Sequence, residues 1–231
     1  MRILYVIFLS YVFVGLLGCS SNNKMTCQEA FELCTKSKRE QFDHSDLLAR
    51  VANLVKSEPQ CEVAYLLKAD LLFECDSFRQ ALNAYIDLSK FSNFYSLANY
   101  RIGKIYSYLD KEDSAIFYYE NVIRFKTVNN VIADFNNDIR PENYKNLEID
   151  IPYNEIVFNL ALSLYYLGRY SEAKIKFDEC IQLGYLLNES FLYRGVIYLT
   201  LNKNMLACSD LLIAKQMGNK MAESYIKKYC E

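Results

Sequence analysis

Apolar residues recur along the chain at the three-and-four spacing of a helix face, as in Leu47, Val51 and Leu54. A longer period lies over this one. Small residues stand inside apolar stretches at Ala69, Gly103, Ala161 and Gly195, two of them in matching contexts: Tyr-Arg-Ile-Gly-Lys-Ile-Tyr and Leu-Tyr-Arg-Gly-Val-Ile-Tyr. Ala69 to Gly103 is 34 residues and Ala161 to Gly195 is again 34; the 58 between Gly103 and Ala161 make one period plus 24 inserted residues. Seven positions beyond each small residue come Asp76, Asp110, Gly168 and Asn202, all types that tolerate left-handed turn geometry. Twelve beyond come Ala81, Ala115, Ala173 and Ala207, and four later Tyr85, Tyr119, Phe177 and Leu211. Gly184 and Gly218, also 34 apart, fall where a second helix would be capped. The pattern predicts helix, tight turn and helix, repeated, with a small residue where paired helices cross closely. Aromatic residues such as Tyr106, Tyr119, Phe177 and Tyr198 recur at positions that packing explains.

Antiparallel helix pairs of this length in tandem resemble the tetratricopeptide (TPR) repeat. The resemblance covers 62–95, 96–127, 154–187 and 188–221. It implies an all-α, TPR-type helical-hairpin solenoid wound as a right-handed superhelix. Tyr65 and Phe191 supply the aromatic residue near the start of the first helix, whereas Asn99 and Val157 depart from it. The proline expected near each repeat's end is missing from all four, although Pro59 stands at that place one repeat upstream. Residues 25–61 read as a degenerate first repeat, with Phe31 on one helix and Leu47, Val51 and Leu54 on the next. Residues 220–231 read as a capping helix that shields the last repeat. Between the two pairs of repeats lies an insertion, 128–153, with six asparagines, Pro141 and Pro152, and an alternating stretch from Leu147 to Ile151 that predicts an extended segment. Loops this long in a compact array often carry function.

The N-terminus has a different character. Met1-Arg2 precedes an uncharged run from Ile3 to Gly18, shorter than the roughly 20 residues a membrane-spanning helix needs. One basic residue, an apolar core and small residues at its end form the pattern of a secretory signal peptide, 1–18. Leu16-Leu17-Gly18-Cys19 resembles a bacterial lipobox. That resemblance implies cleavage before Cys19, acylation of its thiol and amine, and a membrane anchor of more than one chain. Residues 19–24 then form the lipidated cysteine and a polar tether. Ser20 after the cysteine resembles lipoproteins sent to the outer membrane, so the expected address is the outer membrane, lipid-anchored and periplasm-facing, or the outer face of the cell membrane where there is only one membrane.

Export makes disulfides admissible. Beyond Cys19 there are Cys27, Cys34, Cys61, Cys75, Cys180, Cys208 and Cys230, with no C-x-x-C among them. Cys27 and Cys34 on one helix would be about 10.5 Å apart, too far to bridge. Cys208 lies ten residues before Gly218 and Cys230 twelve after it, so an antiparallel capping helix predicts a Cys208–Cys230 disulfide. Cys61 pairs with either Cys27 or Cys34 in a weaker expectation. Cys75, Cys180 and Cys208 fall on helix faces expected to be buried.

Lys+Arg 26 against Asp+Glu 28 leaves a net charge of −2, so no basic face for nucleic acid is expected. A single histidine excludes a multi-histidine metal site, and no cofactor-binding motif is present. His44 in Phe42-Asp43-His44-Ser45-Asp46 does not make a catalytic relay by adjacency; Ser45 or Asp46 as a helix N-cap accounts for the stretch. No catalytic residue is assigned.

The resemblance further implies a concave groove lined by the first helix of each repeat. Carried onto this chain, its positions are Leu66, Asp70, Phe73 and Glu74, then Tyr100, Arg101, Lys104 and Tyr108. They continue with Glu155, Phe158, Asn159, Leu162, Tyr165 and Tyr166, and end with Glu189, Leu192, Tyr193 and Val196. Leu66 and Asp70 stand where the basic and amide groups of a carboxylate-clamping TPR domain are required, which disfavours a C-terminal carboxylate as ligand. The expected function is a membrane-anchored, non-enzymatic scaffold that binds another envelope protein or a peptide. Lipobox plus TPR array also resembles the lipoprotein subunit of the outer-membrane β-barrel insertion machinery; a small-ligand receptor or enzyme with the insertion as a lid is the third reading.

Overall fold

The computed structural model describes residues 24–34, 42–133 and 151–231. The leader with Cys19 and the segment 134–150 of the insertion lie outside the described residues. Every regular element among the described residues is a helix. The chain divides into two compact units, the first ending at Asp76 and the second running from Ser77 to Glu231. The division falls inside the 62–95 repeat, between its two helices.

The first unit holds α1 (Cys27–Leu33), α2 (His44–Ser57) and α3 (Glu62–Glu74). A capping box starts α1: Thr26 Oγ1 accepts from the Glu29 N–H at 3.2 Å, and Glu29 Oε2 accepts from the Thr26 N–H at 2.7 Å. Asp43, not Ser45 or Asp46, caps α2, because its carboxylate takes the Ser45 N–H at 3.1 Å and the Ser45 hydroxyl at 2.7 Å. Those hydrogen bonds hold the Asp43 carboxyl below its ordinary range. α1 and α2 both pack on α3. Leu47, Val51 and Leu54 are buried, as are Leu67 and Leu71 on α3. A disulfide joins Cys27, in the first turn of α1, to Cys61, the N-cap of α3.

The second unit holds α4 (Phe78–Leu88), a 3₁₀ turn (Ser92–Phe94), α5 (Tyr95–Tyr108), α6 (Glu112–Ala133), α7 (Tyr153–Tyr166), α8 (Tyr170–Gln182), α9 (Leu187–Thr200), α10 (Asn204–Gln216) and α11 (Lys220–Tyr229). Each helix from α5 onward packs on the one before it, the sequential stacking of a solenoid. Five of the helix ends share one backbone solution. Asp110, Gly168, Gly184, Asn202 and Gly218 have φ of 54°, 81°, 66°, 56° and 87°. Each donates its N–H to the carbonyl three residues back, while the next residue donates to the carbonyl five back, as in Lys111 to Tyr106 and Arg169 to Leu164. This is the Schellman cap, which satisfies carbonyls the helix leaves open.

The small residues do what their spacing predicts. A Cβ on Gly103 would stand 2.7 Å from Tyr119 Cε1, and one on Gly195 would stand 3.0 Å from Leu211 Cγ. Tyr119 is itself buried at 1% exposure, so its ring has nowhere to go. Gly103→Ala is therefore expected to cost about 1–3 kcal/mol by overpacking. A denaturant midpoint unchanged from the parent protein would show that the α5–α6 contact is slack.

Arg194 on α9 ties three helices together. Its Nε and Nη2 donate to the two Asp210 carboxylate oxygens on α10 at 2.7 and 2.8 Å, and its Nη1 donates to Asp178 on α8 at 2.7 Å. Lys174 takes the other Asp178 oxygen at 2.7 Å. The guanidinium also lies over Phe191 and Tyr198, 5.2 and 5.9 Å from the ring centroids. The Asp210 hydrogen bonds push the Arg194 pKa up, against the opposing effect of burial.

α11 closes the array. Asn219 caps it by accepting from the Met221 and Ala222 N–H groups. Ala222 and Ile226 join Leu192, Val196, Leu211 and Ala214 in one apolar cluster. Cys208 and Cys230 are joined by a disulfide, S–S 2.05 Å.

Candidate interaction surface

The first helices of the second unit's repeats, α5, α7 and α9, carry most of the predicted groove positions. On α5, Tyr100 is buried at 1% exposure and serves as a buried polar anchor. Its hydroxyl donates to Glu155 Oε1 on α7 at 2.5 Å and accepts from Asn159 Nδ2 at 3.0 Å. The same amide donates to the Glu155 backbone carbonyl at 2.8 Å. Burial, then the Glu155 hydrogen bond and charge, push the Tyr100 phenol far above its usual range. The Lys104 ammonium sits 5.7 Å from the centre of the Tyr100 ring. Burial and then the Arg101 charge lower its pKa, with Glu155 acting the other way. These groups fix the spacing of α5 and α7 by a hydrogen-bonded crosslink.

Beyond Tyr100 the aromatic residues come to the surface. Tyr108, at the end of α5, is 60% exposed and stacks on Phe78 with centroids 6.1 Å apart. Tyr166, at the end of α7, is also 60% exposed, with its hydroxyl 3.4 Å from that of Tyr193 on α9. Tyr165 packs edge-on against Tyr166 and Tyr193, at 5.4 and 5.2 Å. Tyr193 stacks on Phe177 at 5.4 Å, which fixes its ring while its hydroxyl reaches outward. Burial, then the Tyr166 hydroxyl, raise the Tyr193 phenol well above the ordinary value. A cleft of about 690 Å³ lies beside Tyr166, lined by Asp110 and Lys111 of the α5–α6 turn and by Glu112 and Asp113 at the start of α6. Sequence reasoning missed it, because turn residues carry no mark of what the next hairpin sets beside them.

Several groove assignments need correction. Tyr100, Phe158, Leu192 and Val196 are buried, as is Leu66 on α3 of the first unit. Phe158 lies edge-on against Phe177 and Tyr185, and Leu192 belongs to the apolar cluster under α11. Tyr100 packs against Tyr119 on α6 and bonds to Glu155 on α7, and like Phe158, Leu192 and Val196 it is taken up by packing within the second unit. Arg101, Lys104, Asn159, Leu162, Tyr165, Glu189 and Tyr193 are half-buried, leaving Tyr108 and Tyr166 as the most exposed of the second-unit set. Asp70, Phe73 and Glu74 are half-buried on α3, within the first unit. Cys180 is buried as expected and its thiol is pushed up to about 12, chiefly by burial, whereas Cys75 is exposed because it ends α3 at the C-cap. The insertion's extended stretch, Leu147 to Asp150, lies outside the described residues, while Ile151 is buried.

No protein-family model matches the chain, and no curated protein matches it. Solved structures do. A structure of MamA superposes with a TM-score of 0.61 at 15% identity, covering 84% of this chain and 96% of its own. YrrB, described as a TPR protein with an unusual peptide-binding site, gives 0.62 at 15% identity over 88% of this chain and 92% of its own. The Pseudomonas aeruginosa protein pilF gives 0.63 at 14% identity over 88% of this chain and 82% of its own. The likeness is one of fold: this chain is an all-α helical-repeat solenoid of the TPR kind.

Proposed function

We propose that the protein is a membrane-anchored scaffold of a bacterial cell envelope, tethered through Cys19, which binds another envelope protein or peptide along the surface carried by α5, α7 and α9. The observation that carries this reading is the row of rigidly held tyrosines. Tyr108 and Tyr166 present large areas to solvent, while the residues around them are locked by stacking and by the Tyr100–Glu155–Asn159 crosslink. Preorganised tyrosines bind at little entropic cost. Acyl chains on Cys19 would confine encounters to the membrane plane and raise the effective concentration of partner. A role as accessory subunit of an outer-membrane assembly machinery fits the same surface as a special case.

Crosslinking in intact cells, followed by purification of the membrane fraction and identification of what is held, tests both halves. Tyr108→Ala with Tyr166→Ala is expected to reduce capture of a defined partner at least tenfold with the helical circular dichroism unchanged, since a contact aromatic residue is worth about 1–2 kcal/mol or more. Equal capture by the double variant would refute the groove. Cys19→Ser is expected to remove fatty-acid labelling and release the chain from the membrane fraction; retention there would refute the tether.

A further inference from the structure

His44, which sequence adjacency left without chemical partners, acquires two from the far end of α3. α2 and α3 pack on each other so that the first residue of α2 lies beside the last turn of α3. His44 Nδ1 stands 3.9 Å from Cys75 Sγ, and His44 Nε2 stands 4.0 Å from Glu74 Oε2. Opposite nitrogens of one imidazole therefore face a thiol and a carboxylate. This is the order of nucleophile, base and orienter that activated thiols use, recognised by geometry and not by sequence position. Among the described residues the His44 side chain is 42% exposed and Cys75 is exposed, so the thiol is open to a small molecule from that side. The other thiols are differently placed: Cys180 is buried, Cys34 is half-buried with its Sγ donating to the Val63 carbonyl, and the remaining described cysteines are in disulfides.

We propose that Cys75, His44 and Glu74 form a thiol–disulfide exchange site whose substrate is a low-molecular-weight dialkyl disulfide of the glutathione class. His44 Nδ1 takes the Cys75 proton as the sulfur attacks one sulfur of the incoming disulfide. The S–S bond breaks, its electron pair leaves with the second sulfur, and that sulfur collects the proton from His44 and departs as a thiol. Cys75 is left as a mixed disulfide, and the incoming disulfide is the oxidant. Glu74 is a positioning residue: it faces the Nε2–H and holds the ring with Nδ1 toward the thiol.

The test uses the full chain with its disulfides intact, glutathione disulfide as the probe, and mass spectrometry to follow each cysteine. Cys75 is expected to be thiolated first, with Cys34 and Cys180 unreacted on that timescale. His44→Ala should slow Cys75 about tenfold or more. Imidazole added to the buffer should then restore the rate of the variant and leave the parent protein unchanged, a rescue that a purely structural histidine would not show. Glu74→Gln supplies a second reading that removes the charge without removing His44, and a rate several-fold below the parent is expected. Thiolation of Cys34 or Cys180 ahead of Cys75, equal rates for parent and His44→Ala, or imidazole accelerating both alike would each overturn the site.

Discussion

Arg194→Ala is expected to lower the stability of the second unit by about 3–5 kcal/mol, the loss typical of breaking a buried ion pair from one side. The Asp210 side chain is only 7% exposed, and both its oxygens are taken by the guanidinium. Without Arg194 that carboxylate stays buried with no cation on it, while Asp178 keeps only Lys174. Contacts of the guanidinium with Phe191 and Tyr198 are lost as well. Arg194→Lys should recover little, because an ammonium cannot span two carboxylates with a fork of parallel hydrogen bonds. Arg194→Met combined with Asp210→Leu should recover most of the loss, since the desolvated charge is then gone from both sides. Urea unfolding of the three variants separates these outcomes. A loss under about 1 kcal/mol for Arg194→Ala would place the network in effectively aqueous surroundings.

The second large effect belongs to Cys27–Cys61. Replacing both with serine is expected to cost about 3–4 kcal/mol, the loop-closure value for the sequence separation of 34. The loss falls on a unit with little to spare. α1 is seven residues long, too short to persist without being held, and Ala30 and Leu33 are its only buried residues. Selective exposure of the first unit is therefore expected: amide exchange in α1 and the start of α3 rises by orders of magnitude while α5 to α10 keep their protection. Uniform loss of protection along the chain would contradict this. A lesser cost, about 3 kcal/mol, is expected for Cys208–Cys230, with its separation of 22.

Much of the fold was legible because a repeat writes its geometry several times. Gly103 and Tyr119, or Gly195 and Leu211, are 16 residues apart, and the structure shows each pair in contact across a helix crossing. Asp110, Gly168 and Asn202 were readable as turns for the same reason: a left-handed residue leaves a mark in the residue type itself. Leu186, with φ of 41°, left none, since nothing about leucine announces that conformation. The interaction surface was less legible. Helical periodicity says which face a residue is on, but two neighbouring helices bury parts of the same face, and Tyr100, Phe158 and Leu192 went inside for that reason. Arg194 stands in a stretch that matches the one around Gly103, but its place there is taken by Ile102, so its link to Asp178 and Asp210 came only from the third dimension. Cys75 looked like a buried helix position until the end of α3 proved to be the C-cap.

The shared cap has a consequence for how such a chain can change over generations. Each of the five helix ends is closed by hydrogen bonds of the backbone to itself, so the stop signal travels with the segment and depends on no side chain elsewhere. A duplication or excision of one whole period therefore brings its own punctuation, and the new neighbours inherit a crossing of the same shape. Half a period brings a helix without its stop. Length variation among descendants of this sequence should accordingly come in steps of 34, or as additions at the end of a hairpin, where the 24 extra residues begin within α6.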